Sequence, residues 1–424
     1  MDNSREASVK QVKEREMENK LSNREIMKKK KKKLSYYLIP RFPCMRLDDG
    51  VTVAETPAGD GSFEMEAGCS GRRDHSPTHL VVTVNGIIGS AQNWRYAAKQ
   101  FVKAYPDDVL VHCSQSNTSM LTFDGVDVMG KRLADEVVSV VGHHPNLQKI
   151  SFLGHSLGGL IARYAVAVLY QQNVILPKNI EQSGGECVGE EKQRGVVAGL
   201  EPVNFITFAT PHLGSRGHKQ VPVFCGVHTM ERLATRASFL LGRTGRHLFL
   251  SDSDDGKAPI LLRMSSDSED LKFISSLQSF KRRAAYANIY KNMVLLLCVM
   301  AFTPSLDIVG WSSSSMRRLS ELPKCRSLER NAKYPHIVNE EKANAVISPQ
   351  REVPLEIKAA RGRTKDMEET MIRGLTRLNW ERVDVSFTGS VQWLLAHSTI
   401  QVKTQCINSE GADVIQHMID NFVL

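Results

Sequence analysis

The sequence predicts an α/β fold, a mostly parallel sheet flanked by helices, and three observations carry the prediction. Apolar strand-like segments alternate with amphipathic helical segments along the chain, which is the pattern parallel strands and their crossovers require. The first such unit is Leu80 to Val84, the glycine loop Asn85-Gly86-Ile87-Ile88-Gly89, and a helix carrying Trp94, Ala97, Ala98, Phe101 and Val102. The third observation is Lys149 to Tyr170, where an alternating strand meets a helix at Gly154-His155-Ser156-Leu157-Gly158.

At 424 residues the chain accommodates one large domain with extensions. A hydrophobic fraction of 42% and a charged fraction of 24% are those of a globular protein rather than a disordered chain or a membrane bundle. The net charge of +9 is concentrated at the start, where residues 1–33 hold twelve Lys or Arg against six Asp or Glu. The remainder is nearly neutral, so charge offers no case for nucleic acid. Eight scattered cysteines form no C-x-x-C pair, as expected of reduced thiols. No apolar leader and no apolar run of spanning length stands in the sequence, and a cytoplasmic protein is expected.

Taken in order, residues 1–76 are expected to be a disordered basic tail and linker, ending its charged part in Lys28 to Lys33. Those lysines are the expected point of any peripheral contact with an anionic membrane. A single domain is expected over 77–424. Strands are predicted at Leu80 to Val84, Val109 to His112, Lys149 to Leu153, Val203 to Ala209, Ala284 to Ile289 and Val383 to Phe387. Helices are predicted near Gly125 to Val141, Leu271 to Phe280, Asp366 to Leu378 and Gly411 to Phe422. A lid or cap excursion is expected at about 215–280, an atypical insert at about 290–305 and an exposed linker at about 312–363.

The pentapeptide around Ser156 has the form G-x-S-x-G between strand and helix, the setting of a nucleophile elbow. Such a turn lifts the serine hydroxyl clear of the sheet and aims the helix N-terminus, with the Leu157 amide, at a developing oxyanion. A serine needs a base to take its proton and an acid to orient that base. In α/β-hydrolases these follow the serine in the order acid, then histidine. Of thirteen histidines, His397 follows the last predicted strand and is the expected base. His212 comes too early, His417 lies within a helix, and His155 points away from the serine by strand alternation. Asp307 follows the strand at Ala284 to Ile289 and is the expected acid, with Asp252, Asp254 and Asp255 as rivals.

The blocks VVTVNGIIGSAQNW, TFDGVDVMGKRLADEV, ISFLGHSLGGLIARYAVAVLY, GLEPVNFITFATPHLGSRG, GRTGRHLFL, DIVGWSSSSMRR and AHSTIQVK stand in one order. With them the chain resembles the plant-type serine esterases, lipase-like α/β-hydrolases. The resemblance implies hydrolysis of carboxylic esters, of lipids or other hydrophobic acyl substrates, without metal or organic cofactor. It implies Ser156 as nucleophile, Asp307 as acid and His397 as base, and an Ile87 amide joining that of Leu157 in the oxyanion hole. Two departures stand out: Asn85 where many lipases have His, and YKNMVLLLCVMAFTPS between Ile289 and Leu306. An acyltransferase or thioesterase on the same triad, or a non-catalytic binding protein on the same fold, are the alternatives.

Overall fold

Strand alternation and crossover helices produce the architecture. The computed structural model describes residues 52–68, 76–171, 195–215, 241–253, 256–289, 311–323, 328, 330–343 and 364–424. The strands are β1 (Val53–Pro57), β2 (Phe63–Ala67), β3 (His79–Val84), β4 (Val109–Cys113), β5 (Lys149–His155), β6 (Glu201–Phe208), β7 (Arg282–Asn288), β8 (Ile337–Glu341) and β9 (Glu381–Val385). They form a nine-stranded sheet in the order β1-β2-β4-β3-β5-β6-β7-β9-β8. From β4 to β9 the pairings are parallel. The β1–β2 hairpin joins β4 antiparallel, and β8 closes the opposite edge antiparallel to β9. This is the α/β-hydrolase fold, with β5 near the middle.

The longer helices cover both faces. They are α1 (Arg95–Ala104), α2 (Val126–His143), α3 (Leu157–Leu169), α4 (Gly242–Leu248), α5 (Ile260–Arg263), α6 (Phe273–Gln278), α7 (Thr364–Leu375), α8 (Ala396–Thr399) and α9 (Ala412–Asp420). Along β3, Leu80, Val82 and Val84 enter a core shared with α2, α3, α6 and α7, whereas Val81 enters one shared with α1 and α9. That division is the period-two geometry of a strand. In α2 the buried residues Met129, Leu133, Val137 and Val141 recur every four positions, a stripe that holds the helix to the sheet. α3 is buried on nearly every side, as its apolar sequence requires.

Several sequence expectations are corrected. The linker expected within 1–76 contains β1 and β2, because Phe63 and Met65 are buried on alternate positions of a strand whose glutamates hide the pattern. Glu64 itself takes part in a charged cluster: His144 Nε2 lies 3.0 Å from it, and His112 Nδ1 3.4 Å. His112 also lies 3.0 Å from Glu136 of α2. Burial pulls the His112 pKa down, but the two carboxylates outweigh it and hold it at about 9. The cluster ties the hairpin to β4 and α2.

The linker expected over 312–363 is likewise ordered in part. Residues 311–315 are helical, Ser312, Ser313, Ser315, Met316 and Arg317 are buried, and β8 follows. Ser313 Oγ donates to the Gly214 carbonyl at 3.0 Å, so hydroxyls that look solvated in the sequence satisfy buried backbone. Within the expected cap, α4, α5 and α6 occupy its second half, while 216–240 lie outside the described residues. The lysine run, the insert and Asp307 also lie outside them. α7 begins at Thr364, two residues before the expected helix start, and His397 sits in the helical turn α8.

One buried polar anchor joins the 311–317 segment to β9. Asp384 accepts from Trp311 Nε1 at 2.5 Å, from Arg317 Nη1 at 2.8 and 3.0 Å, and from Asn339 Nδ2 at 2.7 Å. Burial pushes the Asp384 carboxyl up, against Arg317, Asn339 and Trp311. Donors converge on both oxygens, so both must accept and the carboxylate is ionised. Replacing Asp384 with Ala leaves Arg317 only the carboxylate of Glu341, 2.9 Å away, among the described residues, and takes the acceptor from Trp311 and Asn339, so urea unfolding is expected to show a loss of about 1–3 kcal/mol; an unchanged midpoint would mean that the freed donors find water.

Candidate active site

Ser156 occupies the junction of β5 and α3 with φ 53° and ψ −125°, a left-handed backbone that a β-carbon disfavours. The turn survives because its neighbours leave no alternative. A β-carbon at Gly154 would lie 2.5 Å from the Gly159 Cα, and one at Gly158 would lie 2.7 Å from the Asn85 carbonyl oxygen. The strand, the helix and the β3 loop therefore touch backbone to backbone, which only glycine permits. The Ser156 amide donates to the Phe208 carbonyl at 2.8 Å, fastening the turn to β6. The serine is 4% exposed, and its hydroxyl has no hydrogen-bond partner among the described residues.

The loop after β3 lies against the elbow. A β-carbon at Gly86 would stand 3.0 Å from Ser156 Cβ. Ile88 also adopts positive φ, 51°, costly for a β-branched residue. Its amide donates to Thr122 Oγ1 at 3.0 Å, and Thr122 is held in turn by Thr244 of α4, which donates to its carbonyl at 2.8 Å. The neighbouring Ile87 amide and the Leu157 amide have no acceptor among the described residues. The Leu157 amide stands at the positive end of α3, next to Ser156.

His397, in α8, reaches the same corner from β9. It makes no hydrogen bond to Ser156 or to any described carboxylate. Crowding by the protein, and Lys403 nearby, lower its pKa to about 4, so the ring is neutral at pH 7. What ties it to the elbow is its own backbone: the His397 carbonyl lies 2.6 Å from His155 Nε2.

The other candidates are engaged elsewhere. His212 is fully buried, with Nε2 3.0 Å from Thr207 Oγ1 and Nδ1 3.4 Å from Arg163. His417 contacts Tyr286 Oη at 2.9 Å, in the core on the α9 side. Asp252 accepts from the Ile260 amide at 2.8 Å and stands 3.9 Å from His247. Asp254, Asp255 and Asp307 lie outside the described residues. No cluster of three or more His, Cys, Asp or Glu suited to a metal ion is present among the described residues.

Residues 74–299 match the family described as Putative serine esterase. The chain belongs to this family. It is 29% identical over 282 residues to Putative lipase ROG1 of Saccharomyces cerevisiae, covering 64% of this chain and 35% of the yeast protein. Against Putative lipase C4A8.10 of Schizosaccharomyces pombe the identity is 25% over 228 residues, covering 51% and 25%. The matches thus span roughly a quarter to a third of these curated relatives. Among solved structures, the Bacillus licheniformis lipase BlEst2 in propeptide form is 14% identical with a TM-score of 0.32, covering 56% of this chain and 41% of that one. Carboxyl esterase 2 (TmelEST2) from Tuber melanosporum is 10% identical with a TM-score of 0.35, covering 86% and 85%.

The sequence brings Ser156, Leu157 and Ile87 to notice; the structure places Ser156 and Leu157 at the elbow, the loop of Ile87 against it through Gly86, and the His397 backbone against His155. It also adds His155, Gly86 and Thr122, which touch these residues through space. Only the G-x-S-x-G motif itself hinted at His155, and only the block beginning TFDG at Thr122 included that threonine, without a role. The backbone contacts predict that Gly158→Ala, although the mildest substitution available, lowers stability by about 1–3 kcal/mol. Thermal unfolding against the parent protein measures it, and an unchanged midpoint would show that α3 can shift away from the β3 loop.

Proposed function

We propose that this chain hydrolyses carboxylic esters, with Ser156 as nucleophile, His397 as base and Asp307 as the acid that orients it. The observation that carries the proposal is the strained Ser156 backbone at the elbow, with the Ser156 hydroxyl and the Leu157 and Ile87 amides having no partner among the described residues. An ester carbonyl oxygen seated between those amides receives two N–H donors, and its carbon faces Ser156 Oγ. As Oγ attacks, its proton passes to His397, the C–O bond forms, and negative charge gathers on the former carbonyl oxygen where the donors wait. His397 then returns the proton to the departing alkoxide. Water, deprotonated by the same ring, attacks the acyl carbon, the acyl C–Oγ bond breaks to release the acid, and the ring returns the proton to Ser156 Oγ. An imidazole neutral at pH 7 suits the first and last steps. Hydrophobic acyl esters are the proposed substrates. The lipase names of the yeast relatives support this, as do the exposed side chains of Ile88, on the loop after β3, and of Met120 and Leu121, in the turn that Thr122 bonds to that loop.

Ser156→Ala is expected to abolish labelling by a fluorophosphonate probe and to reduce ester turnover on the order of 10⁴-fold or more, with the fold intact. His397→Ala should do the same, whereas His212→Ala should act on stability alone. Turnover that survives Ser156→Ala in pure protein would place the chemistry elsewhere.

The pH profile tests Asp307. The described surroundings hold the His397 pKa at about 4, and a carboxylate beside the ring favours its charged form and raises that value. If Asp307 plays this part, the acid limb of kcat/KM lies above pH 4 in the parent and moves down in Asp307→Asn, with a lower plateau. A limb that stays put in Asp307→Asn would remove Asp307 from the triad.

A further inference from the structure

His155 is the residue beside the nucleophile, and its side chain reaches the base. The ring is 5% exposed. Its Nε2 lies 2.6 Å from the His397 carbonyl oxygen, and the two imidazoles are 4.7 Å apart between centroids, inclined at 52°. A carbonyl oxygen only accepts, so Nε2 carries the proton; the partner assigns the tautomer. Burial keeps the ring neutral by holding its pKa well below the ordinary histidine value.

The His397 carbonyl has no other donor among the described residues. Its neighbours do: the carbonyls of Ala396, Ser398 and Thr399 accept from the amides of Ile400, Lys403 and Val402. The Ala396 carbonyl also takes Asn288 Nδ2 at 3.2 Å, from the end of β7. α8 is four residues long, too short to hold its own shape. Side chains at the ends of two central strands therefore fix the turn that presents His397.

We propose that His155 is a positioning residue: its Nε2–H holds the His397 backbone at the height and angle that face the His397 ring toward Ser156 Oγ. The inference rests on Ser156 and His397 being nucleophile and base. Because His155 and Ser156 are consecutive, one rigid strand end sets both the nucleophile and the support of its base, and a displacement of one carries the other with it. A misplacement of about 1 Å is enough to cost about 10²-fold in rate.

The test uses the full chain with a p-nitrophenyl ester and a fluorophosphonate probe. His155→Leu removes the donor. His155→Gln returns an N–H near the Nε2 position, and His155→Asn carries an amide too short to reach the carbonyl. The leucine variant is expected to lose about 10- to 100-fold in kcat with KM nearly unchanged, and to slow in labelling to the same degree. The glutamine variant should recover most of the loss and the asparagine variant little of it. If His155→Leu fails to fold, the contrast between glutamine and asparagine decides. Parent-like kcat in folded leucine or asparagine protein overturns the inference, as does a glutamine variant no better than asparagine, or a loss confined to KM. Should the parent's turnover be indifferent to Ser156 or His397, the underlying assignment falls and this inference with it. Turnover that needs both residues but not His155 overturns this inference alone.

Discussion

The chain must leave β5 and enter α3 within a single residue, and the rest of the molecule accommodates that turn. Ser156 in the left-handed region is disfavoured by about 1–3 kcal/mol. The cost is tolerable because β5 is paired on both sides, by β3 and β6, and because α3 buries almost its whole surface. At about 1.5–3 kcal/mol for each fully buried large apolar side chain, the face that includes Leu160, Ile161 and Leu169 outweighs the strain several times over. A surface hairpin bearing the same pentapeptide would relax. Here the backbone contacts of Gly154 and Gly158 leave it nowhere to go.

The same contacts explain why the loop after β3 is so closely specified. With Gly86 pressed on the serine, the loop runs over the elbow rather than around it, and Ile88 is forced to positive φ. Thr122 and Thr244 relay support from α4 to the loop after β3. His155 performs the corresponding task on the far side. The elbow is thus braced by loops from different strands, none of which needs to be near it in sequence.

Charged groups in the interior follow a different logic. Glu64, His112 and Glu136 at one end of the sheet, and Asp384 with Arg317 at the other, gain little net stability over apolar replacements. They do fix which segment meets which strand. Arg163 is an extreme case: it is fully buried with no carboxylate partner among the described residues, donating to the Met264 carbonyl at 3.0 Å and to the His212 carbonyl at 3.4 Å. Its pKa falls to about 9 because it has lost water, and the nearby cation, after burial, helps keep His212 from charging. A histidine so placed is part of the core's wiring, which its position after a strand did not reveal.

Local patterns in the sequence determined the alternation of strands and helices, the parallel core from β3 to β9, the elbow at Ser156 and the histidine following the last strand. Each is encoded within a few consecutive residues, by apolar period, glycine placement or chain order. The hairpin β1–β2, the edge strand β8 and the buried serines after Trp311 were not legible that way. Their burial depends on partners far along the chain: Phe63 opposite Cys113, Asn339 opposite Asp384, Ser313 against Gly214. The link from His155 to His397, across 242 positions, belongs to the same class. Strand alternation cannot say what the His155 side chain meets; only the packed sheet decides that its Nε2 lies against the backbone carbonyl of His397. A side chain's direction is a local property, whereas its partner is fixed by how distant strands come to share one edge.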